Sequence, residues 1–549
     1  MAETKREIER KYEAEAGDRT KLPDLTKASG VASVEDRGVT ELDAVYYDTP
    51  DLRLAADSLT LRRRTGGADA GWHLKFPVAS GIRDEIRAPL SDTLPHALAG
   101  LLRSRVRDAD VVPVVRLRSS RAVRHLHAED GTMLAELSLD TVRAERLSGP
   151  GEGATAAWTE IEVELADDAD EAVLDAVEKR LKKAGIRPSS APSKLARALE
   201  ETVPEKGKGG AGKAAVTRAV KEARRTAAAE PRDDVPAGKR IAKQARGKDA
   251  DGPAGEAAPP SGSAGAAVLA YAQAQRDALV ALDPAVRRDL PDSVHQMRVA
   301  CRRLRSAFKT YRKVLDRNVT DPIGAELKWL AGELGLARDQ EVLVARLRAL
   351  LDDTPRPLLL GPLRNRLRTW DSARSGGIRR RTLAALDAKR YLVLLDALDA
   401  LLADPPLRKA AGRPAEDVLP KAVLKDHARL AAAVDHALAL DPGHDRDVAL
   451  HEARKAAKRA RYAAEAAVPT LGKPAKKLAA RVKAVQSLLG DHQDSVVARD
   501  ALRTLAVQAY SAGENAFTWG LLYGREEAAA AAGERELPDV WAAAAHPDL

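Results

Sequence analysis

Cysteine, aromatic residues and long apolar runs are all scarce in this chain of 549 residues. The single cysteine, Cys301, excludes an internal disulfide and suits a reducing compartment. Phe, Trp and Tyr together make up 3% of the residues, which argues against a large all-β protein and for helices packed through small side chains. No apolar run reaches the roughly 18 residues of a membrane-spanning helix, and the opening MAETKREIERKYE has no signal-peptide core. The expectation is a soluble, cytoplasmic protein with no membrane contact.

What the chain has in quantity is charge, 31% of all residues, with Lys and Arg exceeding Asp and Glu by nine. That surplus suggests a polyanionic partner: nucleic acid, phosphate polymer or acidic membrane. A soluble protein with a merely basic surface is equally open at this level. The length implies two or more domains. Residues 203–264 are rich in Gly, Pro, Ala, Ser and charge and read as a flexible linker, with an isolated helix over VTRAVKEARRTAAAE as the one exception.

Before the linker, alternating runs predict strands at 44–49, 59–64, 72–77, 82–88, 112–118, 133–142 and 159–165, with helices over 91–104 and 170–185. After it, helical periodicity predicts helices at 265–282, 292–315, 321–350, 357–372, 374–402, 417–439, 445–468, 474–510 and 515–532. The fold class expected is multidomain. An N-terminal α+β antiparallel barrel spans 1–202, an all-α duplicated helical bundle spans 265–535, and 536–549 form a tail.

The N-terminal strands share an unusual feature, beginning with EIERKYE at 7–13. Glu7, Glu9 and Lys11 lie on one face, as do Arg62 with Arg64, His73 with Lys75, Arg83 with Glu85 and Arg87, Arg116 with Arg118, Glu136 with Asp140, and Glu160 with Glu162 and Glu164. The other faces carry Ile8, Leu61, Leu74, Ile82, Leu117, Leu137, Leu139, Ile161 and Val163, which suit packing under helices. One such strand is an ordinary solvated face; seven point to a charged barrel interior. Unpaired buried charge costs several kcal/mol, so a ligand or metal is expected there. Clustered carboxylates suit hard cations such as Mg2+ or Mn2+, and clustered Arg and Lys suit phosphate oxygens. Glu164 and Arg87, at strand ends, are expected in solvent, His73 as a hydrogen-bonding group of the interior, and Arg10 and Arg63 on the outside.

EIERKYE, followed in order by YYDTPDLRLAADSLTLRRR, WHLKFP, RDEIR, VVRLR, ELSLDTV, TEIEVEL and SSAPSKLARAL, resembles the CYTH or triphosphate tunnel metalloenzyme superfamily over residues 1–202. The resemblance implies a divalent metal, Mg2+ or Mn2+, held by Glu7, Glu9, Asp140, Glu160 and Glu162. It implies a triphosphate gripped by Lys11, Arg62, Arg64, Lys75, Arg116, Arg118 and Lys194, with Lys11 and Glu9 as the catalytic pair. Members cleave inorganic triphosphate, thiamine triphosphate or RNA 5′-triphosphate, or cyclise ATP.

The second half contains an internal repeat. HQMRVACRRLRSAFKTYRKVL from His295 aligns with HEARKAAKRARYAAEAAV from His451, pairing Arg298 with Arg454, Arg302 with Lys458, Arg303 with Arg459 and Arg305 with Arg461. Downstream, Gly335 aligns with Gly490 and Asp339 with Asp494. Seven Lys or Arg and no acid lie between His295 and Lys313. Like charges stacked at helical spacing repel, so an anion should compensate them. A single such stripe is usually a solvated face; its recurrence is not.

These blocks resemble the CHAD domain, which implies inorganic polyphosphate binding through His295, Arg298, Arg302, Arg303, Arg305, Lys309, His451, Arg454, Lys455, Lys458, Arg459 and Arg461. The histidines lack metal-ligand spacing; a bond to phosphate, Asp339 or Asp494 is expected instead. Nucleic acid is disfavoured because the basic stripes lack aromatics for base stacking. The function expected is a metal-dependent triphosphatase with a polyphosphate-binding helical domain. The alternative is a non-catalytic polyphosphate clamp located at phosphate granules.

Overall fold

A computed structural model of the chain describes residues 3–14, 22–203 and 259–549. The helix expected over VTRAVKEARRTAAAE lies outside the described residues. Two compact units are present, one strand-rich and one all-helical.

The first unit comprises β1 (Glu3–Ala14), β2 (Ser33–Asp48), the one-turn α1 (Arg53–Ala56), β3 (Thr60–Thr65), β4 (Gly71–Ala79), β5 (Ile82–Pro89), α2 (His96–Val106), β6 (Val112–His127), β7 (Met133–Arg146), β8 (Thr155–Leu165), α3 (Ala172–Lys183), the short β9 (Arg187–Pro188) and α4 (Lys194–Glu201). The strands are ordered β5-β4-β3-β2-β6-β7-β8-β1, and β1 also pairs with β5, so eight antiparallel strands close on themselves. Strand β1 is the clasp: Glu3 to Ile8 pair with β5, and Glu9 to Ala14 pair with β8. Closure leaves these strands without free edges and makes each alternation a choice between interior and exterior.

Most outer faces are the expected ones. Tyr12, Leu137, Ile161 and Val163 pack with α3, and Leu61, Trp72, Leu74 and Ile86 pack with α2. Leu117 is the exception. It points inward with Val115, Tyr46, Val142 and Trp158 onto Leu195, Ala198 and Leu199 of α4. Helix α4 therefore stops the interior with an apolar plug, and only the remainder of the barrel is charged. The Ser193 hydroxyl caps α4 by accepting from the Ala196 N–H at 3.0 Å, which places Lys194 where plug meets cavity. Strand β2 starts well before the alternation at 44–49. Residues 33–43 pair with β6 as a polar ribbon, irregular between Asp36 and Val39, and hide no apolar stripe that would announce them.

The second unit contains eleven helices among the described residues: α5 (Ala264–Arg287), α6 (Ser293–Thr310), α7 (Arg317–Glu333), α8 (Gly335–Asp352), α9 (Leu363–Ser375), α10 (Ile378–Asp387), α11 (Lys389–Ala403), α12 (Ala415–Leu438), α13 (His444–Leu471), α14 (Lys473–Ser511) and α15 (Phe517–Ala542). Two of the nine expected helices are each divided, at Leu334 and at Ala388. In the repeat, α7 and α8 thus correspond to the single unbroken α14. Met297, Cys301, Leu304 and Phe308 of α6 and Ala453, Ala457, Ala460 and Ala464 of α13 are buried in one core, and the alanines on α13 leave room for close helix approach.

The expected tail is part of this core. Helix α15 runs on to Ala542, with Leu537, Trp541 and Ala544 buried. His427 stacks on Trp541 at 5.6 Å between ring centroids, and its Nε2 meets the Ala544 carbonyl at 2.8 Å. Among the described residues, no helix is long and apolar enough to cross a membrane.

Candidate functional site

The barrel interior holds a cavity of about 330 Å³ lined by side chains from all eight closing strands except β4's outer residues, with Lys194 of α4 at its floor. Three buried carboxylates from neighbouring strands, Asp140 of β7 and Glu160 and Glu162 of β8, offer oxygens within 4.8 Å of one another. Strand register explains this: Asp140 lies directly opposite Glu160, and Glu162 is the next inward residue. The ammonium of Lys194 sits among them, 3.0 Å from Asp140 and 2.6 Å from Glu160 and from Glu162. Arg121 adds a bidentate pair to Asp140 at 2.7 Å and a contact to Glu162 at 2.9 Å.

Lys11 bridges the two sides of the cavity, pairing with Glu162 and, at 3.2 Å, with Glu9. Glu7 is held by Lys75 at 2.5 Å, and Lys75 reaches Glu85 at 3.5 Å. Burial favours the neutral amine of Lys11, but Glu162 and Glu9 outweigh it and raise its pKa. Burial is likewise outweighed at Lys194, by Asp140, Glu160 and Glu162. Both amines are therefore ammonium ions at neutral pH. Burial raises Glu9, but Lys11 chiefly, with Lys75 and Arg83, holds it below its ordinary value; at Glu7 burial prevails over Lys75 and its pKa rises.

On the opposite wall Arg62 and Arg64 face Arg121, and burial together with Arg62 and Arg121 pushes the Arg64 guanidinium down. This crowding of cations is offset in part by Asp69, which meets Arg64, and by Glu85, 3.6 Å from Arg62. His73 bridges Glu85 and the Asp69 carbonyl, each at 2.9 Å, behind it.

Several sequence expectations need correction. Arg116 and Arg118 share a face, but it is the outer one. Arg116 donates to Asp43 at 2.9 Å, Arg118 lies 3.7 Å from the same carboxylate, and Arg118 is 59% exposed. The inward residues of β6 are Val115, Leu117, Ser119 and Arg121, so Arg121 is the cation this strand supplies. Glu164 and Arg87 line the cavity rather than standing free in solvent, Glu164 bonded to Lys5 at 2.7 Å and Arg87 to Glu85. The five carboxylates expected around one metal fall into two groups. Asp140, Glu160 and Glu162 form a cluster, whereas Glu7 belongs to the Lys75 and Glu85 group and Glu9 joins the cluster only through Lys11. Arg63 and Arg10 are outside, Arg63 on the Ser91 carbonyl and Arg10 on Asp175 and Glu178.

In the helical unit, the matching residues of α6 and α13 make corresponding contacts. Arg298 donates to Asp339 at 2.9 Å and to the Gly335 carbonyl at 3.3 Å, while Arg454 lies 3.6 Å from Asp494. A Cβ on Gly335 would come within 3.0 Å of the Arg298 guanidinium, and one on Gly490 within 3.5 Å of that of Arg454. Each glycine of the repeat is thus the surface on which its arginine lies. Between the two arginines sit Arg302 and Lys458. Burial, then Arg454 and Arg302, push the Lys458 ammonium down to about 7. Arg302 is lowered by burial first and by Arg298 and Arg454, against the opposing effect of Tyr462. The Nε atoms of Arg298, Arg302, Arg305 and Arg454 are buried without a hydrogen-bond partner among the described residues.

Not all the expected cations join this cluster. Arg303 and Arg461 converge on Glu465, at 2.9 and 2.7 Å; Arg459 pairs with Asp426 at 3.0 Å; and Lys455 pairs with Glu452 at 2.6 Å. Lys309 stands near Arg305 and Arg459. His295 and His451 flank the cluster, both lowered by burial first, and His451 bonds Gln493. Arg298 and Arg454, not the histidines, hold Asp339 and Asp494.

Comparison with known proteins matches residues 5–199 to the CYTH domain and residues 270–503 to the CHAD domain. Two uncharacterized proteins of Mycobacterium tuberculosis are 36% identical over 536 residues, covering 95% of this chain and 92% of theirs. Among solved structures, PptA from Streptomyces chartreusis aligns with a TM-score of 0.42 and 21% identity, covering 51% of this chain and 99% of that one. A Hippeastrum protein, described as an adenylyl cyclase candidate with a dominant triphosphatase activity, aligns at TM-score 0.23 and 21% identity, covering 37% and 99%.

Proposed function

The chain belongs to the family that joins a CYTH domain to a CHAD domain, and from that premise we propose that it is a metal-dependent phosphohydrolase. Its substrate is inorganic triphosphate or a related triphosphate bound in the barrel, and its helical unit binds inorganic polyphosphate. The observation that carries the reading is the division of the cavity. A wall of Arg62 and Arg64, the latter pushed down by burial and by Arg62 and Arg121, faces a buried cluster of Asp140, Glu160 and Glu162 to which Arg121 and Lys194 are bonded. Cations against phosphate oxygens and carboxylates against a hard divalent ion are the two requirements of phosphoryl transfer.

The donor set fits Mg2+ or Mn2+: three carboxylates, all oxygen, all buried and mutually close. Asp140, Glu160 and Glu162 would hold the ion, with Glu9 adjoining through the Lys11 bridge, and the bound ion would supply charge neutralisation and acidify a coordinated water. The chain's own residues do the rest. Arg62, Arg64, Lys75 and Arg121 orient the phosphates and stabilise charge on the leaving group as the bridging P–O bond breaks. Lys11, an ammonium, contributes charge and orientation; it has no lone pair with which to take a proton from water.

The test is phosphate release from inorganic triphosphate, ATP and thiamine triphosphate with added Mg2+ or Mn2+. Release from inorganic triphosphate, abolished by Glu9→Gln, is expected. No release from any of the three favours a second reading, a polyphosphate clamp without catalysis. One observation speaks for that reading: the Lys194 ammonium already sits among the three carboxylates, where a metal would bind. For the helical unit, the full chain is expected to bind long-chain polyphosphate with strong salt dependence. Equal affinity for DNA at matched charge and salt would overturn the polyphosphate assignment.

A further inference from the structure

Outside the carboxylate cluster, the barrel carries a second group of potential metal ligands of different chemistry. Glu35 of β2 and His125 and His127 of β6 each offer one ligand atom, and the three atoms lie within 4.8 Å of one another. The local sequence dictates the arrangement. His125 and His127, two apart on one strand, point the same way, and Glu35 lies directly across from His125. On the other side His125 is opposite Glu136, and His127 is opposite Met133, both of which line the cavity. The group therefore stands at the mouth of the barrel, on the face of the ribbon opposite Val34 and Leu126, which pack into the core.

The hydrogen bonding of His127 prepares it for a cation. Its Nδ1 lies 3.1 Å from the Gly131 carbonyl, which can only accept, so Nδ1 carries a proton and Nε2 is the nitrogen left to meet a cation. That Nε2 is buried with no hydrogen-bond partner among the described residues, and it faces the Glu35 carboxylate at 3.4 Å. Arg37 occupies the other oxygen of Glu35 at 2.8 Å, leaving this one for the cluster. A ring nitrogen directed at a carboxylate needs a positive centre between them, either a metal ion or a proton.

We propose that Glu35, His125 and His127 form a binding site for a borderline divalent cation of the Zn2+ type. Two imidazoles and one carboxylate select Zn2+, Co2+ or Ni2+ over Mg2+, so this site differs in specificity from the all-oxygen cluster inside. Glu136, 3.4 Å from His125, is placed to join it.

Equilibrium dialysis of the full chain against Zn2+ in excess Mg2+, with Co2+ absorption as the spectroscopic readout, tests the proposal. The unaltered protein and Glu160→Gln should bind Zn2+ and show a Co2+ spectrum with imidazole ligation. His127→Gln and His125→Gln should each weaken Zn2+ at least about tenfold and lose that spectrum. Glu35→Gln, on an exposed side chain, gives the same answer should a histidine variant fail to fold. Unchanged Zn2+ stoichiometry in all three variants, or no Zn2+ bound by the unaltered chain, overturns the site. The second outcome would mean that His127 is an imidazolium paired with Glu35.

Discussion

The barrel cavity and the cluster between α6 and α13 are both rich in cations, yet they handle charge in opposite ways. In the barrel every strong cation has a carboxylate in reach, Lys194 having three and Arg121 two. In the helical unit the carboxylates serve Arg298 and Arg454 at the edges, while Arg302 and Lys458 at the centre have no ion pair among the described residues and are lowered by burial and by each other's neighbours. A mixed-sign site can hold a metal and a phosphate together, which is what bond cleavage needs. A single-sign site can only bind an anion, and it is under electrostatic strain until it does so.

The largest effects should come from breaking this contrast at its centres. Lys194→Met leaves buried Glu160 without an ion pair and takes one cation each from Asp140 and Glu162, and should cost about 3 kcal/mol of stability, read as a lower thermal midpoint. Lys458→Met removes a buried amine that has no ion pair among the described residues and that Asp494 only partly offsets, and should stabilise the ligand-free protein by about 1 kcal/mol. The same substitution thus has opposite signs in the two units; equal destabilisation would end the comparison. For activity, Glu162→Gln should lower triphosphate hydrolysis at least about 100-fold, with polyphosphate affinity unchanged.

Next in size is charge reversal in the helical cluster. Arg302→Glu should weaken long-chain polyphosphate binding by about tenfold or more and flatten its salt dependence, with hydrolysis of inorganic triphosphate unaffected. Filter binding at two salt concentrations beside phosphate release separates the outcomes.

The pH dependence follows from Lys458, pushed down to about 7 by burial and by Arg454 and Arg302. Below pH 7 folded and unfolded chains both carry its proton, and the cost of burying the charge is full. Between pH 7 and its ordinary value the unfolded chain holds more protons, so this group's contribution makes stability rise with pH. A bound polyanion restores the charge. Polyphosphate binding at pH 8 should therefore take up a proton, and affinity should fall by up to about tenfold per pH unit above 7. Calorimetry in buffers of different ionisation enthalpy measures that uptake directly; zero uptake at pH 8 would mean that Lys458 is not in the site.

How much of this was legible depends on whether a residue's role is local. Alternation in EIERKYE correctly groups Glu7, Glu9 and Lys11, because period 2 is intrinsic to a strand. The repeat likewise exposes Arg298 with Gly335 and Asp339, and Arg454 with Gly490 and Asp494, since each trio recurs. Alternation does not say which face is inside when neither is wholly apolar. On β6 both faces carry arginine, and only the pairing of Arg121 with Asp140 across β7 shows which one counts. The plug of α4 on Leu117 is equally non-local. So is the neutralisation of Arg303 by Glu465, which lies 162 residues away.

That ambiguity on β6 yields the smallest predicted effect. Arg116 and Arg118 flank Leu117 on the outer face and share Asp43, itself partly exposed. Exposed ion pairs are worth about 1 kcal/mol or less, so Arg116→Ala and Arg118→Ala should each leave hydrolysis within about twofold and barely move the thermal midpoint. Arg121→Ala, three residues beyond Arg118 on the same strand, removes a bidentate partner of Asp140 and a cation of the cavity, and should raise KM for inorganic triphosphate by about tenfold or more. If Arg116→Ala proved as harmful as Arg121→Ala, the inward face of β6 would be wrongly assigned, and with it the cation that β6 supplies to the carboxylate cluster.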